Sequence, residues 1–294
     1  MRVTQSMLSN NMLSNLGRSF SRLSTLQDQI SSQKKITRPS DDPVVAMKGI
    51  TYRRNLQEVE QFKRNFSEAY NWMDNSDASL DKAGQAIQRI RELVVQASSD
   101  TYDASQRVSI SQEIGQLKEH LIEIANTKVG DKYIFNGTDT LSKPVDASGD
   151  SVQVSGNSSP VQIELSKGVY IPVNVKPEKV FSEELFDDID GLILSLEAAG
   201  SNGDSLNPYL DQIDSHLNNA VNARSDLGAR YNRVELMEAR IDQQEVISKK
   251  VMSDNEDIDF EKVVTELLAQ ESAHRAALSV GSRIIQPTLM DFLR

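Results

Sequence analysis

The chain predicts a mainly α fold with a small β-containing domain inserted in its middle, and an elongated antiparallel helical bundle formed by its N- and C-terminal regions. Three observations carry that prediction. Apolar residues recur every seven positions at Tyr52, Val59, Phe66, Met73, Leu80, Ile87 and Val94, with Leu56, Tyr70, Ala83, Ile90 and Ala97 filling much of a companion row. Such a repeat belongs to a helix whose seam lies along another helix. A stretch rich in Gly, Pro and Ser with period-two patterning is confined to the centre, and helical pattern resumes after it. Finally, only 38% of the 294 residues are hydrophobic and 5% aromatic, which suits helical bundles with a narrow core.

The first helix is predicted over Asn11 to Ser32, where Met12, Leu16, Leu23, Leu26 and Ile30 are spaced by three, four or seven and Leu13 and Phe20 widen the stripe. It ends in Lys34-Lys35-Ile36-Thr37-Arg38-Pro39, because Pro39 disfavours helical geometry in the residue before it. Asp42 is a good N-cap and Pro43 a good first helical residue, so a second helix starts there and runs to about Ser98. Unbroken, it would measure roughly 80 Å. A turn cluster at residues 98–103 precedes a third helix marked by Ile110, Ile114, Leu117, Leu121 and Ile124.

Next come short strands. Tyr133-Ile134-Phe135 ends in Asn136-Gly137, Val152 and Val154 alternate with polar residues, and Val161, Ile163 and Leu165 face Val169, Ile171, Val173 and Val175 across a Ser166-Lys167-Gly168 hairpin. Helix returns over Ser182 to Ala199, pauses at residues 200–204, and then runs through Leu206, Leu210, Ile213, Leu217, Ala220, Leu227, Tyr231, Val234 and Ile241, interrupted by Arg224 and Glu238. An acidic, loop-like stretch, Ser253 to Asp259, precedes a last helix carrying Phe260, Val264, Leu267, Leu278 and Ile285, which Pro287 ends or bends. The expected division is 1–42, terminal helix and turn; 43–133, helical rod; 134–185, β-containing insert; 186–254, returning rod; and 255–294, C-terminal helix.

Net charge is −11 and basic residues are dispersed among acidic ones, which argues against nucleic acid as a partner. No apolar run approaches a membrane span, and the first residues lack the layout of a cleaved signal, so neither a membrane role nor ordinary secretion is expected. Cysteine is absent, which excludes thiolate chemistry and disulfides.

Candidate chemistry is sparse. The histidines are His120, His216 and His274. Glu271 and His274 have the spacing of a di-iron ligand pair, but neither other histidine has a Glu three residues before it. Asp188, Asp190, Gly191 and Glu197 match four positions of a calcium loop whose first position would be Phe186, so an acidic helix start is the plainer reading. No catalytic, metal or cofactor site is expected. Lys34, Lys35 and Arg38, with Arg53 and Arg54, form a basic cluster expected to pair with carboxylates of the same bundle or of a neighbouring subunit. Asn136-Gly137-Thr138 is a turn before it is a glycosylation sequon.

The segment Leu23-Ser24-Thr25-Leu26-Gln27-Asp28-Gln29-Ile30-Ser31-Ser32-Gln33-Lys34-Lys35-Ile36-Thr37-Arg38-Pro39-Ser40-Asp41-Asp42-Pro43 resembles the N-terminal signature of the bacterial flagellin superfamily. There a leucine-rich helix ends in a Ser-Ser-Gly-Lys-Arg-Ile-Asn-Arg-like segment followed by two aspartates; this chain has Gln33 in place of the glycine and Thr37 in place of the asparagine. The likeness continues in Glu92 to Ala97, Ile114 to Asn126, Phe135-Asn136-Gly137, Asp226-Leu227-Gly228-Ala229-Arg230 and the terminal helix. Filament members read Arg-Ala-Gly-Asp-Asp-Ala-Ala at the loop. Arg38-Pro39-Ser40-Asp41-Asp42-Pro43-Val44 here, and the ending Met290-Asp291-Phe292-Leu293-Arg294, are similar instead to junction-type members.

The resemblance implies a non-enzymatic flagellar subunit, exported unfolded without a cleaved signal, that forms a layer between the first hook-associated protein and the flagellin filament. Its implied partners are that protein, flagellin and copies of itself, with an export chaperone as a further one. It implies assembly through the terminal helices, and the residues expected to carry it are Leu16, Leu23, Leu26, Ile30, Arg38, Pro39, Asp41, Asp42, Leu267, Leu278, Ile285, Phe292 and Leu293. The alternatives are a filament flagellin, which shares these helices, and a cytoplasmic coiled-coil adaptor, which shares only the heptads.

Overall fold

Capping chemistry sets the helix boundaries in the computed structural model, which describes residues 5–99, 103–147, 149, 152–198 and 203–285. Helix α1 spans Gln5–Ser32 and α2 spans Pro43–Ala97. The second start is set by Asp42, whose Oδ1 accepts from the backbone N–H of Val44 and Val45 at 2.9 and 3.1 Å. Helix α3, Ala104–Ala125, starts at Asp103, where Asp103 and Gln106 exchange the paired hydrogen bonds of a capping box. Helix α4 is Glu183–Glu197, with the Ser182 hydroxyl accepting from Leu185 N. Helices α5, Gly203–Glu256, and α6, Phe260–Ile285, complete the set.

The expected loop at residues 253–259 is shorter in the structure. Helix continues through Glu256, and Asp259 then starts α6 by accepting from Lys262 N at 3.1 Å. Pro287 lies outside the described residues.

Two compact units make up the chain: Met1–Glu58 with Gln244–Arg294, and Val59–Gln243. In the Val59–Gln243 unit the heptad of α2 is the core. Val59, Phe66, Met73, Leu80, Ile87 and Val94 are all buried, as are Ala83, Ile90 and Ala97. Trp72, Ala86 and Leu93 add a third buried row. The stripe is wider than the heptad because α2 is covered from two sides, by α5 through Arg224 on Asp77 and by α3 through Arg89 on Glu113. Burying each large side chain contributes about 1.5–3 kcal/mol.

Pairs at Lys63–Asp242, Asp77–Arg224 and Arg91–Asp214 show that α2 and α5 run antiparallel. The two polar breaks in the α5 row both bond α2: Arg224 bridges Asp77 and Asp81, and Glu238 accepts from Tyr70 Oη at 2.7 Å.

Among the described residues the inserted strands form three separate antiparallel pairs. These are β1 (Lys128–Val129) with β2 (Lys132–Tyr133), β3 (Val145–Asp146) with β4 (Gln153–Val154), and β5 (Gln162–Ser166) with β6 (Val169–Pro172). The last is the expected hairpin, with Gly168 at φ 74° in its turn. The predicted strand at Tyr133-Ile134-Phe135 stops at Tyr133; Ile134 and Phe135 are fully buried, and Phe135 meets Phe181 edge-on at 5.1 Å between centroids. Gly137 adopts φ 53°, and a Cβ there would lie 2.5 Å from Asn157 O, so the Asn136-Gly137 turn admits only glycine.

Candidate functional site

In the Met1–Glu58 and Gln244–Arg294 unit, α1 and α6 pack antiparallel along one seam. On α1 the half-buried or buried positions include Ser9, Met12, Leu16, Ser19, Leu23, Leu26 and Ile30; on α6 they include Val263, Leu267, Gln270, His274 and Ala277, with buried Gly281 beyond them. Both sets alternate by three and four, the spacing of a two-helix seam. A polar layer crosses it: Ser19 Oγ lies 3.0 Å from Gln270 Nε2 and 3.0 Å from His274 Nδ1. A single polar layer of this kind specifies register, since sliding the helices would strand its groups against apolar neighbours. Sequence periodicity passed over these residues because they are polar; their positions in the heptad were the available signal.

Beyond α1 the chain turns sharply. Gln33 adopts φ 56°, a left-handed conformation in which glycine carries no Cβ penalty. The backbone then joins the α5–α6 connection: Lys35 N donates to Glu256 O at 2.7 Å, and Ile258 N to Gln33 O at 3.2 Å. Side chains reinforce this clasp. Lys34 Nζ reaches Asp257 at 2.6 Å and Glu256 at 3.4 Å, while Arg53 reaches Glu256 Oε2 at 2.8 Å. The basic cluster thus pairs, through Lys34 and Arg53, with carboxylates of its own chain. The hydrogen bond from Lys34 holds Asp257 below the usual carboxylate range, and the same bond pushes Lys34 up.

The two aspartates of the signature have separate tasks. Asp42 caps α2, whereas Asp41 Oδ2 gathers the N–H of Arg38 at 2.9 Å, the N–H of Thr37 at 3.2 Å and the Thr37 hydroxyl at 3.3 Å. Donation from Arg38 N, then from Thr37, lowers the Asp41 pKa.

Beside the clasp is a cavity of about 150 Å³ lined by Lys34, Arg38, Pro39, Ile50, Arg53 and Glu256, among others. The Glu256 side chain is 6% exposed and Gly49 makes room for it: a Cβ at Gly49 would sit 2.7 Å from Glu256 Oε1. Neither residue was nominated from sequence. A glycine within the first turns of a long helix was the signal for the first, and reading Glu256 as part of an acidic loop hid the second.

The structure distributes the nominated assembly residues as follows. Leu16, Leu23, Leu26, Ile30 and Leu267 lie in the α1–α6 seam, Leu278 is exposed on α6, and Arg38 to Asp42 form the loop. Ile285 ends α6, while Phe292 and Leu293 lie outside the described residues. Apolar side chains off the seam are also exposed, among them Leu13 and Phe20 on α1 and Phe260, Leu268 and Val280 on α6.

The residues weighed for metal chemistry have other partners. Asp188 faces His216 Nε2 at 2.8 Å, Asp190 takes Lys118 at 2.6 Å, His274 belongs to the seam, and His120 lies 3.6 Å from Glu123. No described helix is long and apolar enough to cross a membrane.

A paired terminal helix seam, a clasp-and-loop with two aspartates, and a helical bundle carrying a small β insert together define a flagellin-type subunit. The chain belongs to the bacterial flagellin family: its N-terminal helical region matches over residues 3–140 and its C-terminal helical region over residues 210–293. Within that family it is similar to flagellar hook-associated protein 3 of Escherichia coli K12, at 24% identity over 85% of this chain and 86% of the relative. The protein of the same name from Salmonella typhimurium is 23% identical over 94% and 95%. A crystal structure of flagellar hook-associated protein 3 from Legionella pneumophila shares the fold, with a TM-score of 0.64 and 17% identity over 69% of this chain and 98% of that one. Flagellins of other bacteria match at comparable identity.

Proposed function

We propose that this chain is a structural subunit of the bacterial flagellum that forms the junction layer between hook and filament. The observation that carries the reading is the similarity to two hook-associated proteins 3 over 86% and 95% of their length. In this reading the chain contacts the first hook-associated protein on one side, flagellin on the other and copies of itself within the layer, and it does no catalysis. It is exported through the flagellar pathway without a cleaved signal, with a chaperone as an additional partner. Residues 1–42 and 255–294 serve as assembly segments, 43–133 with 186–254 as the rod, and 134–185 as the β insert.

The physical support is the exposed apolar surface of α1 and α6, which one subunit leaves uncovered and neighbours in a lattice would cover. Deleting the gene and shearing flagella from complemented cells tests the proposal. Expected are hooks without filaments in the deletion strain, and intact chain in the sheared fraction after complementation. Purified chain that polymerises alone into long filaments would favour a filament flagellin, and chain found only in cytosol would sink both readings.

A further inference from the structure

Beside its core heptad, helix α2 carries a second row of residues seven apart, Lys63, Tyr70, Asp77, Gly84 and Arg91, and every member is half-buried. Most of the row reaches across to α5: Lys63 to Asp242 at 2.9 Å, Tyr70 to Glu238 at 2.7 Å, Asp77 to Arg224 at 2.8 Å, and Arg91 to Asp214. Gly84 is the exception, because glycine has no side chain to send. In the register that Lys63–Asp242 and Arg91–Asp214 fix, its opposite number on α5 is Val221, which is 57% exposed. Between the two lies a hollow of about 240 Å³, lined by Gly84, Val221, Leu80, Leu217 and Ala220 among others. Gln85, at its edge, bonds back to Asp81 of its own helix at 2.7 Å.

Exposed ion pairs are worth little singly, so this step differs from its neighbours mainly in packing. Glycine weakens a helix interior, and where it occurs there a close approach commonly accounts for it. Gly191 has such a reason, since Tyr209 Oη would lie 3.2 Å from a Cβ there, and Gly281 has one in Met12. At Gly84 no atom of the described residues lies within 4 Å of the Cβ position. The helix is weakened at this level and gains no packing in return, and the walls of the hollow forgo dispersion contacts. We infer that Gly84 is a yield point in the α2–α5 seam, where the two helices part before they part at the flanking cross-links. A helix pair held in register on both sides of a yielding step can change tilt at that level without slipping. The rod thereby has a built-in place to bend, a property independent of which flagellar layer the subunit occupies.

The test is residue-resolved amide hydrogen exchange of the purified chain. Expected is exchange at residues 84–88 and 217–221 at least about tenfold faster than at 66–70 and 235–239. Gly84→Leu fills the hollow from α2 and should slow both fast segments at least about tenfold, the facing one on α5 included. Gly115→Ala is the control, a helical glycine on α3 that also has open space at its Cβ position. It makes the same kind of gain in helix propensity, about fivefold in local protection, and should leave 217–221 unchanged. Uniform protection along the wild-type seam would overturn the inference. So would a Gly84→Leu effect confined to α2, which is propensity alone, or faster exchange in that variant. If Gly84→Leu does not fold, Gly84→Ala carries the comparison: slower exchange at 217–221 upholds the yield point, and unchanged or faster exchange there overturns it.

Discussion

The two units bury very different amounts of apolar surface. In the Val59–Gln243 unit, Phe66, Met73, Ile87, Leu121, Phe186 and Val234 are all at most 1% exposed, and helices and strands share one continuous core. Among the described residues of the other unit, Leu26 is the only buried apolar side chain, and polar groups cross its seam. The helices are comparable in apolar patterning; the difference lies in how many faces are covered. A helix packed on two or three sides buries residues completely, whereas one of two helices meeting along a single seam keeps half of each side chain wet. The first unit has what it needs to fold alone. The second gains most from neighbours, because hydrophobic stabilisation scales with the area removed from water.

Truncating each core should expose that contrast most strongly. Phe66→Ala is expected to destabilise the Val59–Gln243 unit by about 3–5 kcal/mol, read as a lower urea midpoint in the fluorescence of Trp72, the chain's only tryptophan, 4% exposed and in the same core. Leu26→Ala should leave that midpoint unchanged and instead speed amide exchange in α1 and α6. A shared shift in both variants would mean the units unfold as one.

Next in size is the clasp. Glu256→Ala removes the acceptor of Arg53 and a partner of Lys34, with an expected local cost of about 1–3 kcal/mol. Faster exchange of the Lys35 and Ile258 amides, with Trp72 fluorescence unaffected, would confirm that the cost stays local. Smaller and of opposite sign, Gln33→Gly should stabilise the α1 exit by about 0.5–1 kcal/mol, because φ 56° is free of Cβ strain only for glycine. Slower exchange at Lys35 is the readout, and an unchanged or faster rate would refute the strain argument.

The family pattern places glycine at that position, so the departure at Gln33 was visible in the sequence, and so was the Asp42-Pro43 helix start. The α2 heptad could be read directly because its positions are filled by large apolar residues. The α1–α6 seam could be read only in part. On α6 the row through Leu278 looked apolar, yet the seam runs through Gln270 and His274, since helix phase is set by the partner and not by the most hydrophobic side of an isolated sequence. Leu278 consequently stays 49% exposed. Long-range pairing was the least legible link: nothing local says that Glu256 lies against Gly49 and Arg53.

The pH response of the clasp is the finest test. Asp257 and Asp41 have lowered pKa values, so their contributions are present above the unfolded value of about 3.9 and are lost as pH falls through the folded values below it. Lys34 is raised, so its contribution is present below about 10.4 and is lost as pH climbs through a higher folded value. Chemical shifts of Thr37, Arg38 and Asp257 should therefore hold steady between about pH 5 and 9 and move outside that window; movement near neutrality would assign the clasp to other groups.

The central claim is that one unit is complete in the free subunit and the other is completed by assembly. Hydrogen exchange of the purified chain and of sheared flagella measures this directly. In the free chain the α1 and α6 amides are expected to exchange at least about a hundredfold faster than those of residues 59–97, the ratio set by some 3 kcal/mol of missing burial, and the gap is expected to close on assembly. Equal protection of both units in the free chain would contradict it.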